Sequence, residues 1–429
     1  MSNTYLFALT DGGSGTVAPE LGVARRLVER GHRVTVLGED SMAAAAADTG
    51  ATFLRWEHGL NRPDHRPEHA PYREWELTSP PALVRAMVAH LVSGPAEGYA
   101  HDVTRAISAD RPDLVLTSFF AFGAMIAAEA AGTPFDVLMP NIYPLPVAGL
   151  PPFGPGFAPA RGAWGRLRDR VVAALSQRTW DRAALPGLNA VRSSHGLGPI
   201  AHYQDQVHAA RRQLLLTSAA FDFPAQLPPS ARYVGPVLDD PAWAIGPDTA
   251  PPGDAPLVLV SMSTTFQSQT ETLQRVVNAL AELPVRALVT TGPVIDPGTI
   301  MAPPNVAVVA AAPHTRVLRD AALAVTHGGH GTLVKSFVTG VPVVVLPHGR
   351  DQADNAARVV HRGAGLSVPR AASPARIAHA VRTVLEDRSF AAGAARLGAA
   401  LRADAASGRL LAELEADLAH QALGTHPHG

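Results

Sequence analysis

Short apolar runs alternate along this chain with stretches whose apolar residues recur every three or four positions. Residues 5–9 form one such run and lead into a polar, glycine-rich loop at 10–16. Beyond the loop, Leu21, Ala24, Leu27 and Val28 lie on one face of a predicted helix, and Pro19 suits its first turn. Gly31 supplies a stop, and residues 33–37 read as the next strand, which completes a β–loop–α–β unit. Further strands are predicted at 114–117, 135–139 and 214–217.

The pattern restarts after a stretch dense in proline. Pro236, Pro241, Pro247, Pro251, Pro252 and Pro256 mark residues 233–256 as an extended linker. Strands then follow at 257–261, 286–290, 306–310, 323–326 and 341–346, with a helix at 270–283. Ile377, Val381, Val384 and Leu385 mark one face of a later helix. The expected fold class is α/β: two Rossmann-like domains whose strand ends face each other across a cleft. The expected division is residues 1–232, a linker 233–256, a second domain 257–405, and a terminal segment 406–429. Residues 145–159 hold too many prolines for regular structure and read as an apolar loop lining the first-domain side of that cleft.

The chain's 429 residues are enough for two cores of ordinary size. A net charge of −1 gives no electrostatic reason to expect nucleic acid or an anionic membrane as partner. The chain has no cysteine, which excludes disulfides and thiolate-bound metal and fits a reducing compartment. The first residues lack the basic region of a signal peptide, and no apolar run is long enough to span a bilayer, so a cytoplasmic protein is expected.

The chemistry concentrates where the sequence reads Thr326-His327-Gly328-Gly329-His330-Gly331-Thr332. It ends a short apolar run and opens a predicted helix. Gly328, Gly329 and Gly331 allow the backbone to approach an anion closely, and a helix N-terminus turns unpaired N–H groups toward it. A diphosphate fits such a cradle. Asp351, Gln352 and Asn355 then offer acceptors and donors suited to a polyhydroxylated group.

These residues resemble the family 1 glycosyltransferases of the two-domain GT-B fold, bacterial natural-product type. Counted from His327, the family's Gly-Val-Pro falls at Gly340, Val341 and Pro342, and its later proline at Pro347. Its Asp-Gln pair falls at Asp351 and Gln352, and its Asn-Ala at Asn355 and Ala356. The resemblance implies that His327 and the N–H groups from Gly329 to Thr332 hold the donor diphosphate. It places Asp351 and Gln352 on the sugar, Ala312 and His314 in the loop that contacts the base, and Ser263 and Thr264 beside the phosphates. It also implies that residues 410–418 form a helix returning to the first domain.

Two departures concern catalysis. The family's histidine base, in the pattern Gly-His-x-x-Pro, is replaced in Gly15-Thr16-Val17-Ala18-Pro19, and Ser118 stands where the aspartate that orients it usually follows the fourth strand. Asp11, which ends the first strand and faces the same cleft, is the expected substitute base, with Thr16 at the vacated position. On the donor side, Lys335 replaces a glutamate that reaches the ribose hydroxyls of a UDP-sugar, which leans toward a dTDP-sugar.

The expected activity is inverting transfer of a sugar from a UDP- or dTDP-sugar to a small apolar natural product. The nucleotide sugar is a substrate, and no cofactor is expected. Neither is a metal, since no Asp-x-Asp handle adjoins the glycine loop. The acceptor is expected against Gly13, Phe119, Phe122, Asn141, Tyr143 and Phe153. The protein would act as a monomer or homodimer without nucleic acid or membrane. Two alternatives remain open from the residues: a helper protein that binds the sugar nucleotide without turnover, motivated by Thr16 and Ser118, and a sugar-nucleotide epimerase on the same architecture.

Overall fold

The computed structural model describes residues 2–12, 15–77, 79–240, 244, 250–262 and 265–416. The first domain is built on seven strands: β1 (Thr4–Ala8), β2 (Arg33–Gly38), β3 (Thr52–Arg55), β4 (Leu114–Ser118), β5 (Phe135–Met139), β6 (Arg212–Leu215) and β7 (Ala231–Tyr233). Their spatial order is β3-β2-β1-β4-β5-β6-β7, and every pairing is parallel. The second domain holds β8 (Leu257–Ser261), β9 (Arg286–Thr290), β10 (Val306–Val309), β11 (Ala321–Thr326), β12 (Val343–Val345) and β13 (Gly365–Ser367). These too are all parallel, in the order β10-β9-β8-β11-β12-β13.

In both sheets the chain order reverses beside the first strand, between β1 and β4 and between β8 and β11. Such switch points open crevices at the carboxyl ends of the strands. The loop after β1 and the glycine turn after β11 occupy those two crevices. The central strands are buried on both faces, which is why they read as unbroken apolar runs such as LVLVS at β8.

Three features escape the apolar pattern. The edge strand β3 is four residues, TFLR, with no buried position. The strand β7 begins the proline-rich stretch. A 33-residue helix, Gly162–Ser194, buries only Ala184, Leu188, Val191 and Arg192, so no continuous apolar stripe marks it. Trp164, Leu167, Val171 and Leu175 lie exposed along its first half. Among the described residues no helix is long and apolar enough to cross a membrane.

The chain crosses between the domains twice. After the linker and the second sheet, the helix Arg409–Glu415 returns to the first domain. Tyr5 donates its hydroxyl to the Leu414 carbonyl, Arg30 and His32 bind the Glu415 carboxylate, and Arg212 binds Glu413. The two crossings meet where Gly235, at φ +87°, packs against the Asp404 carbonyl and Ser218 donates to the Asp404 carboxylate.

Buried charge joins the domains along the cleft. Asp222, in the first domain, lies 2.7 Å from Arg358 of the helix Gln352–His361, and both side chains are all but solvent-free. Tyr233 donates to the same carboxylate at 2.9 Å. Glu74 reaches across to Arg350 at 2.8 Å and accepts from Gln267. Removing one partner of such a pair leaves an uncompensated buried charge. Asp222→Ala is therefore expected to lower unfolding free energy by about 3–5 kcal/mol in urea denaturation. Breaking the exposed Arg73–Glu76 pair should cost about 1 kcal/mol or less. Equal losses for the two would contradict this account of the interface.

Candidate active site in the interdomain cleft

The second-domain wall begins with the turn after β11. Gly328 has φ +97°, and a Cβ there would meet Val345 at 2.8 Å and the Gln352 carbonyl at 3.1 Å. Both the dihedral and the space demand glycine. The helix His330–Val338 starts immediately afterwards, with Gly329 as its cap. Its first N–H groups, those of His330, Gly331 and Thr332, have no intrahelical carbonyl to bond and sit at the positive end of the helix dipole.

His327 lies under this turn. A Cβ on Gly329 would come within 2.5 Å of its Nε2, so the glycine makes room for the ring. Burial pushes the imidazole down to about 3, with the neighbouring His348 adding to the effect, while a ring N–H donates to the Ser261 carbonyl. The ring is thus neutral, and its remaining nitrogen presents a lone pair rather than a donor. His314 is likewise held near 4 by burial, with Nε2 at 3.0 Å from the Thr290 hydroxyl, and Ala312 beside it is buried.

The motif after β12 divides into an exposed and an internal part. Asn355 donates to the Gly328 carbonyl at 3.0 Å and to Asp351 at 2.5 Å, tying the glycine turn to that carboxylate. Asp351 also bonds the Asn141 side chain from the first domain, and burial raises its pKa. Gln352 does not match the expectation of a sugar contact. Its Oε1 accepts from the His348 and Gly349 N–H groups and its Nε2 donates to Gln267, so it shapes the loop. Lys335 is paired with Asp240 of the linker at 2.6 Å, and Thr315 donates to the other oxygen of Asp240.

Facing this wall is a cavity of about 660 Å³, bordered mostly by apolar side chains of the first domain. Thr16, Phe119, Phe122, Asn141, Tyr143 and Phe153 all border it. Phe122 and Tyr143 are also core residues, the latter donating to Gln213 at 2.9 Å. Gly13, Ser263 and Thr264 lie outside the described residues. The proline-rich loop crosses the cleft rather than staying on the first-domain side. The N–H groups of Gly154 and Gly156 donate to Asp354 at 2.7 and 3.0 Å, and burial lifts that carboxylate to about 6.

Asp11 does not fill the role expected of it. Its carboxylate lies 3.1 Å from Arg62 and 3.0 Å from His65, and it does not border the cavity. Arg62 also binds Glu39, which accepts from the Asp11 N–H, so the loop after β1 is fastened by a buried charged network. Another cluster, His58, His101 and Asp102, lies outside the cavity. There Asp102 accepts three successive backbone N–H groups, from Glu57, His58 and Gly59, and so clamps a loop.

The structure adds residues the motifs do not announce. Trp180 and Tyr203 stack at 5.2 Å and border the cavity, Trp180 from the long helix that the apolar pattern does not reveal. Glu20 borders it as well. It sits four residues before Ala24 and seven before Leu27, on the helix face otherwise reserved for the core. A charge on an apolar stripe is the sequence signal that identifies it.

Comparison with known proteins agrees with this geometry. A family model described as "Erythromycin biosynthesis protein CIII-like, C-terminal domain" matches residues 274–417. The 4'-demethylrebeccamycin synthase of Lentzea aerocolonigenes is 30% identical over 404 residues, covering 90% of this chain and 93% of that protein. The chain belongs to the natural-product glycosyltransferases of family 1. The oleandomycin glycosyltransferase of Streptomyces antibioticus is 28% identical across 80% of this glycosyltransferase and 74% of its own length. Among solved structures, the glycosyltransferase of kitacinnamycin superposes with a TM-score of 0.73 at 26% identity, covering 96% of this chain and 98% of that one. The two parallel-sheet domains are those of the GT-B fold.

The depressed basicity of His327 is directly measurable. In the free glycosyltransferase its imidazole 15N shifts should stay those of a neutral ring from pH 8 down to pH 5, below the ordinary midpoint of about 6.5. A titration near 6.5 would show that the ring is not buried as described.

Proposed function

We propose that this glycosyltransferase moves a sugar, with inversion, from a UDP- or dTDP-sugar onto a small, largely apolar natural product. The observation that carries this reading is the pairing of an apolar cavity on the first domain with an anion cradle on the second. Asn141 and Asp351 meet between them.

The donor diphosphate would lie on the N–H groups of His330, Gly331 and Thr332, with the Thr332 hydroxyl beside it. His327 supports the turn from below and acquires a proton only against the bound anion. Asp351 would receive a sugar hydroxyl, and Ala312 and His314 would flank the base, while Ser263 and Thr264 would lie beside the phosphates. The acceptor atom attacks the anomeric carbon from the side opposite the diphosphate. Negative charge growing on the departing phosphate is met by fixed N–H dipoles that need no reorganisation. No step in this scheme calls for a cofactor or a metal.

Asp240 bears on the donor's identity. Its oxygens hold Lys335 and Thr315, and Lys335 stands where a ribose-binding glutamate is usual in the family, which favours a deoxyribose donor. The absence of cysteine suits a cytoplasmic setting, and the near-zero net charge gives no electrostatic pull toward nucleic acid or an anionic membrane. A helper protein would bind the donor without turnover, and an epimerase would act on the donor alone.

The deciding experiment is product formation. A panel of UDP- and dTDP-sugars should raise the melting point of the folded protein, and the donors that do so should yield glycosides with aromatic acceptors in the presence of the enzyme. Gly329→Ala, which drives a methyl group into His327, is expected to weaken donor diphosphate binding by about tenfold or more in calorimetry. Donor binding with no glycoside from any acceptor would favour the helper reading. Solvent hydrogen entering the donor sugar without acceptor would favour the epimerase.

A further inference from the structure

The cavity wall contains one carboxylate with an unexplained arrangement. Glu20 lies on the helix Val17–Glu29, one turn beyond Thr16, with its N–H bonded to the Thr16 carbonyl. Residues four apart share a helix face, so both side chains border the cavity. Glu20 is only 1% exposed. Its Oε2 accepts from the Ser118 hydroxyl at 2.8 Å. The Ser118 oxygen itself accepts from the Thr10 N–H at 3.1 Å, which aims the hydroxyl proton at the carboxylate. Glu20 Oε1 has no hydrogen-bond partner among the described residues. Folding gains nothing from an unpartnered oxygen in an apolar wall, because its lost hydration is not replaced.

We propose that Glu20 is the general base of the transfer, with Ser118 as its positioning residue. The proposal rests on the glycosyltransferase reading above. An acceptor O–H or N–H in the cavity supplies the missing partner of Oε1. As the acceptor atom forms its bond to the anomeric carbon, its proton passes to Oε1. The bond from that carbon to the diphosphate oxygen breaks, and its electron pair leaves with the nucleoside diphosphate.

This assignment accounts for both catalytic departures together. Thr16 and Ser118 replace the usual histidine and aspartate, yet the site retains a proton acceptor and a group that orients it. The acceptor has moved one turn along the helix, and the orienting group has become a hydroxyl. Burial raises the Glu20 pKa well above the ordinary carboxylate range, and the Ser118 hydroxyl bond opposes that shift by favouring the ionised form that can accept a proton. Asp11, the competing carboxylate, is taken up by Arg62 and His65.

Glu20→Gln tests the proposal, because the amide keeps the shape and can still accept from Ser118 but cannot take a proton. The probes are 1-naphthol, an aliphatic alcohol and 4-nitrophenol, used with whichever nucleotide sugar the wild type accepts. With naphthol and the alcohol, kcat should fall by roughly 10²–10⁴-fold while donor KM stays unchanged. With 4-nitrophenol, already largely ionised, the loss should be about tenfold or less. Glu20→Asp should recover part of the rate, and Ser118→Ala should lower kcat without altering donor KM.

A Glu20→Gln enzyme within about threefold of wild type on naphthol, or equally impaired on all three acceptors, overturns the assignment. Melting temperature and nucleoside diphosphate affinity are measured alongside. If Glu20→Gln folds poorly, the acidity dependence of the Glu20→Asp rates decides in the same way. A wild type that glycosylates nothing with any donor would overturn the functional reading itself, and that result is distinct from one confined to the variants.

Discussion

Backbone N–H groups at the start of the helix His330–Val338 can face an anion only because the chain turns sharply at Gly328. That turn is wedged between Val345 on the neighbouring strand and the Gln352 carbonyl, with no room for a side chain. Its carbonyl is held by Asn355, which also holds Asp351. Displacing the turn would therefore disturb both the cradle and the carboxylate beside it. Much of the conserved-looking spacing from His327 to Asn355 serves this one piece of backbone geometry, with His327 packed beneath it and Gln352 bracing the adjoining loop.

Buried charge is distributed with a consistent logic around the cleft. Arg62 holds both Asp11 and Glu39 beneath the loop after β1, with His65 also on Asp11, and Asp222 pairs with Arg358 between the domains. Asp354 is satisfied by two backbone N–H groups of the proline-rich loop. Each of these spends its charge on holding a loop or an interface. Glu20, like Asp11, keeps a carboxylate oxygen without a hydrogen-bond partner among the described residues, but unlike Asp11 it borders the space where an acceptor fits.

The sequence revealed the parallel strands well because burial on both sheet faces leaves unbroken apolar runs, as at β8 and β12. It revealed the glycine turn ahead of the helix His330–Val338 because glycines, a helix start and a fixed spacing to Asp351 coincide. It did not reveal the helix Gly162–Ser194, whose first half exposes apolar side chains and buries none. It also singled out Asp11, which the structure places away from the cavity. Asp11 and Glu20 lie five and four residues from Thr16, but the loop after β1 turns Asp11 into an ion-pair network, whereas helical periodicity sets Glu20 on the same wall as Thr16. Proximity along the chain does not separate the two carboxylates, whereas phase on the helix does. The destination of the proline-rich loop was equally hidden, because nothing in its own residues names Asp354 as partner.

The double crossing between domains has a mechanical consequence. A single tether would let the halves drift apart in any direction. Two strands of chain passing side by side, in contact at Gly235 and Asp404, behave as the pins of a door. The easiest motion left to the molecule is rotation about the line through them, which widens the mouth of the cleft most at the far rim and least at the pivot. Such a rotation would have to break the Glu74–Arg350 and Asp222–Arg358 pairs that join the halves.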